Sequence, residues 1–253
     1  PISSTLDTAG PMTKFVIDNI LIYNAINDFD KLDDYSVENY DINLESVIDN
    51  NTIEYRIGYY KNYYKRDVLY KNSIDLLKEK GLDLVDIDAP EIRLEGFAKI
   101  LDEDMRHDLR RYLFSHGNKN LEVEDISSII KYNELDSVER SPYGQGIFKK
   151  IIKDTMSINA FEDLKFELMS KGNEFFNIPM DKFNLDVVLS INNYHAGYAA
   201  MAHNPCLTIP MKLRKNNEPA GLTIIGKSFE EQKLYEIGYF FEKNFEGRVP
   251  PKN

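Results

Sequence analysis

Apolar positions along this chain follow two rhythms, one helical and one of short buried runs. Over residues 13–27 apolar side chains crowd almost every side of a helical wheel (Phe15, Val16, Ile17, Ile20, Leu21, Ile22). That pattern reads as a buried helix, with Thr13 placed to cap it. Ahead of it, residues 6–12 read as a loop ending in the Gly10-Pro11 turn. Residues 28–51 are acidic and carry neither rhythm. Residues 53–60 then read as a strand, 67–80 as a helix and 84–87 as a second strand. The helix stripes Tyr70, Ile74 and Leu77 along one side and meets Gly81 where a C-cap belongs. Strand, helix and strand in so short a span form a βαβ unit, so the two strands should run parallel with a right-handed crossover.

The middle of the chain is helical. A long helix is expected over roughly 94–114, a shorter one from near Glu122, and two more between Gln145 and Phe176. Residues 186–190, 206–209 and 222–225 read as buried strands. A final helix aligns Leu234, Ile237, Phe241 and Phe245. The expected fold class is therefore α/β, one domain over 1–253 built on a mixed sheet flanked by helices, with a helical insertion at roughly 94–180.

Composition narrows the partners. The net charge of −11 opposes binding to nucleic acid or to an anionic membrane surface. A single cysteine, Cys206, rules out an internal disulfide framework and fits a reducing cytoplasm. No apolar run reaches the roughly 18 residues of a membrane span. Pro1 is not an initiator methionine and the first residues already read as mid-domain, so a fragment or processed product is expected.

Each candidate for chemistry has a plainer reading beside it. Asp28, Asp30, Asp33 and Asp34 lack the glycine and terminal glutamate of a calcium loop, which favours a solvated acidic loop. Asp104, His107 and Asp108 share a helical face that could present three metal ligands, but the charged neighbours Glu103, Arg106, Arg110 and Arg111 favour a solvent-facing polar stripe. Cys206, with His195 and His203 nearby in sequence, sits within an apolar run, which favours a small buried hydrophobe over a nucleophile. His203 precedes Asn204-Pro205 and is expected to anchor a turn. Ser3 and Ser4 have no lysine or histidine base at a useful spacing, and Lys14 lies on the next helix. The chain offers no complete set of nucleophile, base and oxyanion donors.

Several motifs in order carry a family resemblance. Ser4-Thr5-Leu6-Asp7-Thr8-Ala9-Gly10-Pro11-Met12, with Asp18 on the following helix, resembles the segment after the catalytic core in amidase signature enzymes. Asn27-Asp28-Phe29-Asp30-Lys31-Leu32-Asp33 is similar to that family's Gly-x-Asp-x-x-Asp loop, with Asn27 in place of glycine. Arg56-Ile57-Gly58 resembles the strand opening its C-terminal half. Met105 to Leu113, Ser128 to Asn133 and Tyr143-Gly144-Gln145 are similar to the branch containing peptide amidases. Leu185-Asp186, Pro219-x-Gly221-Leu222 and the tail to Arg248 match the family's ending.

The resemblance implies amide hydrolysis by a Ser–cis-Ser–Lys triad, without metal or organic cofactor. It also implies that the triad and its oxyanion loop lie upstream of this chain, which alone should be inactive. A small-molecule or peptide amide would be the substrate of the complete enzyme. In the family the segment after the Leu-Asp strand borders the acyl pocket, which makes Asn192, Asn193 and Tyr194 the candidate substrate contacts. Asn192 and Asn193 read equally well as turn residues, and Gln145 as a helix cap as much as a ligand contact. Chain segments covered in the intact fold should be bare here, favouring self-association or association with the missing N-terminal half. The alternative is a non-catalytic, amidase-derived interaction module.

Overall fold

β3 (Val187–Ile191) has no exposed face: all five of its residues are buried. It pairs in parallel with β1 (Arg56–Tyr60) and antiparallel with β5 (Pro219–Ile225). β2 (Asp83–Ile87) flanks β1 in parallel and β4 (Cys206–Leu213) flanks β5, giving one mixed sheet in the order β2-β1-β3-β5-β4. Side chains alternate across a strand, and the burial follows. Ile57, Val187, Leu189, Ile191, Leu222 and Ile224 pack into one apolar cluster, while Tyr60, Ile87, Val188 and Ile225 pack into another. The mixed α/β architecture expected from the sequence is the one observed. This computed structural model describes residues 2–33, 36–38, 40–49, 52–118 and 120–251. Pro1, Asp34 and Asn51, which fall within stretches read above, lie outside the described residues.

Two compact units divide the chain. The sheet unit comprises residues 10–93 and 170–253, and the helical unit residues 1–9 and 94–169. In the sheet unit, Asp186 pins the strand register. Its carboxylate accepts from the Arg56 N–H at 2.9 Å, its own N–H donates to the Arg56 carbonyl at 2.8 Å, and Lys233 pairs with it at 3.0 Å. α4 (Val68–Glu79) is the expected crossover between the parallel strands; the Asp67 carboxylate accepts from the Tyr70 N–H at 3.0 Å, and Gly81 takes the left-handed φ of +88° that ends it. α3 (Lys61–Arg66) follows β1 directly, and α10 (Ala196–Ala202) follows β3 after a short turn. Both are too short for periodicity to reveal. α2 (Leu44–Asp49) likewise lies inside the stretch read as irregular. α11 (Glu231–Asn244) buries Leu234, Ile237 and Phe241 as expected.

α1 (Val16–Ile26) corrects two expectations. Only Val16 and Ile20 are buried, whereas Phe15, Leu21, Ile22 and Ile26 are 55%, 54%, 44% and 58% exposed. A helix apolar on all sides is thus packed on one side only. Thr13 does not cap it; the first helical N–H, of Val16, donates to the Glu242 carboxylate at 3.1 and 3.2 Å. A carboxylate suits the positive end of a helix dipole, and α11 supplies it from far along the chain.

The helical unit contains α5 (Phe97–His116), α6 (Ile126–Glu134), α7 (Ser137–Arg140), α8 (Gly146–Lys153) and the first part of α9 (Ile158–Phe183). α6 begins at Ile126, later than the expected Glu122, because Asp125 and Ser128 form a reciprocal cap there. The polar stripe on α5 faces solvent only in part: His107, Arg110 and Arg111 are exposed, whereas its earlier acidic residues are buried. Asp102, Glu103 and Asp104 are 8%, 1% and 4% exposed. Lys150 pairs with Asp102 at 2.8 Å, Arg106 with Glu103 at 2.5 Å, and Ser3 donates its hydroxyl to Asp104 at 2.5 Å. Asp108 accepts from the Ser4 N–H at 2.6 Å. These last two carboxylates hold the first residues of the chain against α5. Charge in the sequence signalled solvent along the whole stripe, and at Glu103, Asp104 and Asp108 the fold used it for internal pairing instead. Replacing Ser3 with alanine should therefore strand a buried carboxylate and cost about 1.5–3 kcal/mol of stability, read from chemical denaturation midpoints.

Candidate functional site

Two parallel strands end side by side at the carboxyl edges of β1 and β3. The chain leaving β1 leads toward β2 on one side, and the chain leaving β3 leads toward β4 and β5 on the other. In α/β sheets the gap between two such diverging connections is where ligands settle. Here it is lined with aromatic rings.

Tyr60 closes β1, and the abrupt entry into α3 sets Tyr63 close behind it, with their rings edge to face at 5.8 Å. Tyr70 of α4 ties the two strands together. Its hydroxyl donates to the Leu189 carbonyl at 2.7 Å and accepts from the Tyr60 N–H at 3.2 Å. The turn after β3 hinges on Asn192, whose φ of +46° lies in the left-handed region that asparagine tolerates. The Asn192 side-chain oxygen accepts from the Gly221 N–H at 2.6 Å, and its main-chain carbonyl accepts from the Thr223 hydroxyl at 2.6 Å. Its amide oxygen is thus committed to holding the turn to β5.

His195 is the buried centre of the group, 5% exposed. Its Nδ1 lies 2.7 Å from the Ser190 hydroxyl and its Nε2 lies 3.5 Å from the Tyr63 hydroxyl. Rings of Tyr60 at 4.4 Å and Phe175 at 5.2 Å enclose it. Burial in this apolar setting lowers its pKa to about 4, so the imidazole is neutral at pH 7. The buried Tyr60 hydroxyl has no hydrogen-bond partner among the described residues, and burial pushes its pKa well above the usual tyrosine value. Tyr194 stands at the rim, 52% exposed, edge to face with Tyr63 at 5.5 Å. Asn193 is exposed beside it.

The expected site residues therefore separate. Asn192, Asn193 and Tyr194 share this turn, with Asn192 structural and the other two open to solvent. Gln145 belongs to the helical unit. It occupies the N-cap position of α8 but makes no side-chain cap. Its amide instead donates to the Ile130 carbonyl at 3.3 Å and accepts from Asn133 at 3.1 Å, joining α6 to α8. Ser190, His195, Tyr60 and Tyr63 were not foreseen as a group. A five-residue separation matches neither helix nor strand spacing, and the tyrosines come from another strand. The tyrosine-rich run from Tyr59 to Tyr64 was the one available signal.

The remaining candidates take these places. Cys206 is exposed, contrary to the buried reading, because β4 is an edge strand. The protein mass on its inner side still pushes the thiol up to about 11, far from an active thiolate. His203 takes φ +54° at the end of α10, in keeping with a turn anchor. Asp28 and Asp30 accept from the neighbouring N–H groups of Phe29 and Leu32. Among the described residues no cluster of three or more His, Cys, Asp or Glu side chains could hold a metal, and no helix is long and apolar enough to cross a membrane.

A family model described as Amidase matches residues 1–191. The chain belongs to the amidase family. A glutamyl-tRNA(Gln) amidotransferase subunit from Caldanaerobacter subterraneus is 26% identical to it, over 99% of this chain and 57% of that protein. Among solved structures, an amidase family protein from Bacillus anthracis superposes with a TM-score of 0.88 at 26% identity, covering 100% of this chain and 51% of that one. A peptide amidase from Stenotrophomonas maltophilia superposes with a TM-score of 0.86 at 23% identity, over 100% and 56% respectively, so this amidase chain has a peptide-amidase-like fold. It spans about half the length of the curated relatives it matches.

The buried imidazole makes the amidase chain acid-sensitive. His195 binds its proton at 6.5 when unfolded and only at about 4 when folded, so its stabilising contribution is complete above the upper value and is lost as pH falls toward the lower. About 3 kcal/mol should disappear across that window from this ring. Denaturation midpoints between neutral and acid pH should show the slope, and His195→Gln should flatten it.

Proposed function

We propose that this chain is the C-terminal portion of an amidase that hydrolyses carboxamide C–N bonds, with its Ser–cis-Ser–Lys triad lying upstream. The carrying observation is the state of Ser3 and Ser190, the two serines held against a charged or titratable side chain in buried sites among the described residues. Ser3 is buried against a carboxylate that cannot serve as the family's lysine base, and Ser190 is fully buried against a neutral, enclosed imidazole. Neither combines access to a carbonyl with an activating base. The contribution of this half is then the wall of the acyl site, built at the carboxyl ends of β1 and β3 from Asn193 and Tyr194, with Asn192 holding the turn. Gln145 keeps a supporting role between its two helices. The reaction needs neither metal nor organic cofactor, and the single free thiol suits a reducing cytoplasm. The substrate is a small-molecule or peptide amide.

Turnover of amino-acid amides by residues 1–253 should equal buffer alone, whereas the product of the complete reading frame should release ammonia. Hydrolysis by the 253-residue chain itself would overturn the upstream placement. Absence of turnover from the complete product would favour the non-catalytic module.

Bare apolar side chains on α1 support the partner reading. Phe15, Leu21, Ile22 and Ile26 are apolar surface that the rest of the amidase fold, or a second copy in its absence, would cover. Sedimentation of the 253-residue chain should show concentration-dependent association that Leu21→Glu together with Ile22→Glu reduces. A clean monomer at high concentration would count against it.

A further inference from the structure

The segment that forms the acyl wall carries no charge. From Val187 to Met211 there is no Asp, Glu, Lys or Arg, in a chain that is 29% charged. Burial explains this for β3. It does not explain the stretch beyond, where Asn193, Tyr194, Ala196, His203 and Cys206 include exposed positions facing solvent. Lys61, the first residue of α3 and next to Tyr60, is paired with Asp86 at 3.1 Å and Asp88 at 3.6 Å. His195 is neutral at pH 7 and enclosed by rings. Along residues 187–211 acidic and basic ligand groups alike would meet no counter-charge, and desolvating an unpaired charge is strongly unfavourable.

Tyr194 is what this surface offers instead. Its ring rests edge to face on Tyr63, and the Tyr63 hydroxyl faces His195, which Ser190 orients. The rim tyrosine thus stands on a fixed aromatic base while half of it faces solvent. A ring held this way favours aromatic and branched apolar partners at little further ordering cost.

Resting on the amide-hydrolase reading above, we propose that Tyr194, seated on Tyr63, is a specificity-determining residue. It selects neutral carboxamides with an aromatic or branched apolar acyl side chain over amides whose acyl side chain is charged.

Two measurements test this. The first is a panel of N-acetylated amino-acid amides given to the product of the complete reading frame. Phenylalanine and leucine amides should exceed glutamic acid and lysine amides in kcat/KM by about ten-fold or more, and Tyr194→Ala should narrow that ratio by about three- to ten-fold through KM. Tyr194→Phe should keep it. Equal or inverted preferences, or a ratio that Tyr194→Ala leaves unchanged, overturn the proposal. The second is fluorine NMR of residues 1–253 labelled with fluorotyrosine. N-acetylphenylalaninamide should move the resonance that Tyr194→Phe removes, and N-acetylglutamic acid amide should not. Selective binding without turnover of any amide would sustain the specificity and sink the hydrolysis. Turnover favouring charged amides would sink the specificity alone. The absence of both would sink both.

Discussion

The pairing of β3 between β1 and β5 is the constraint on which the sheet unit depends. All five residues of β3 are buried, so its position fixes apolar packing on both faces of the sheet at once. Asp186 sets that position from the strand's first step, exchanging two hydrogen bonds with the Arg56 backbone and taking Lys233 as counter-ion. A slip of one residue would turn every side chain to the opposite face. It would also carry Ser190 away from His195 and undo the turn at Asn192. The turn that carries Asn193 and Tyr194 is thus positioned by strand register.

The same register encloses the most conspicuous chemical pair in the chain. A serine hydroxyl 2.7 Å from an imidazole resembles an activated nucleophile in distance alone. Here both groups are sealed beneath Tyr60, Tyr63 and Phe175, and burial holds the imidazole neutral. A base must be able to accept a proton and a nucleophile must reach a carbonyl. Enclosure opposes both. What the pair supplies is a fixed support for Tyr63, and through it for the tyrosine at the rim.

Much of the fold was legible because each signal was local. Asp67 and Gly81 bracket a helix whose stripe of Tyr70, Ile74 and Leu77 is buried as its spacing implies. The short apolar runs that placed strands at 186–190 and 222–225 overlap the observed strands at 187–191 and 219–225. Short elements were lost because α3, α7 and α10 complete fewer than two or three turns, too few for a period to show. α1 misled for a different reason: its apolar residues say what the helix can bury, while neighbours decide what it does bury. Of the candidate site, the sequence singled out the turn of Asn192, Asn193 and Tyr194, through the family's pattern of residues after Leu-Asp. The tyrosines beneath that turn, Tyr60 and Tyr63, were not legible, since they arrive from β1 and α3, far back in the chain, to meet His195.

By itself the sequence determined the family, the βαβ unit, the buried strands and most of the long helices. Each follows from periodicity, capping residues or motif order within a short span. Tertiary structure alone decided the fate of the polar groups. It buried Asp102, Glu103 and Asp104 where charge density pointed to solvent, and it exposed Cys206 where an apolar run pointed inward. It also gave Glu242 the start of α1, and enclosed His195 until its imidazole became neutral. The physical reason is that apolar burial is written into local spacing, whereas a buried polar group survives only if a partner arrives from elsewhere in the chain, and that arrival is a property of the folded whole.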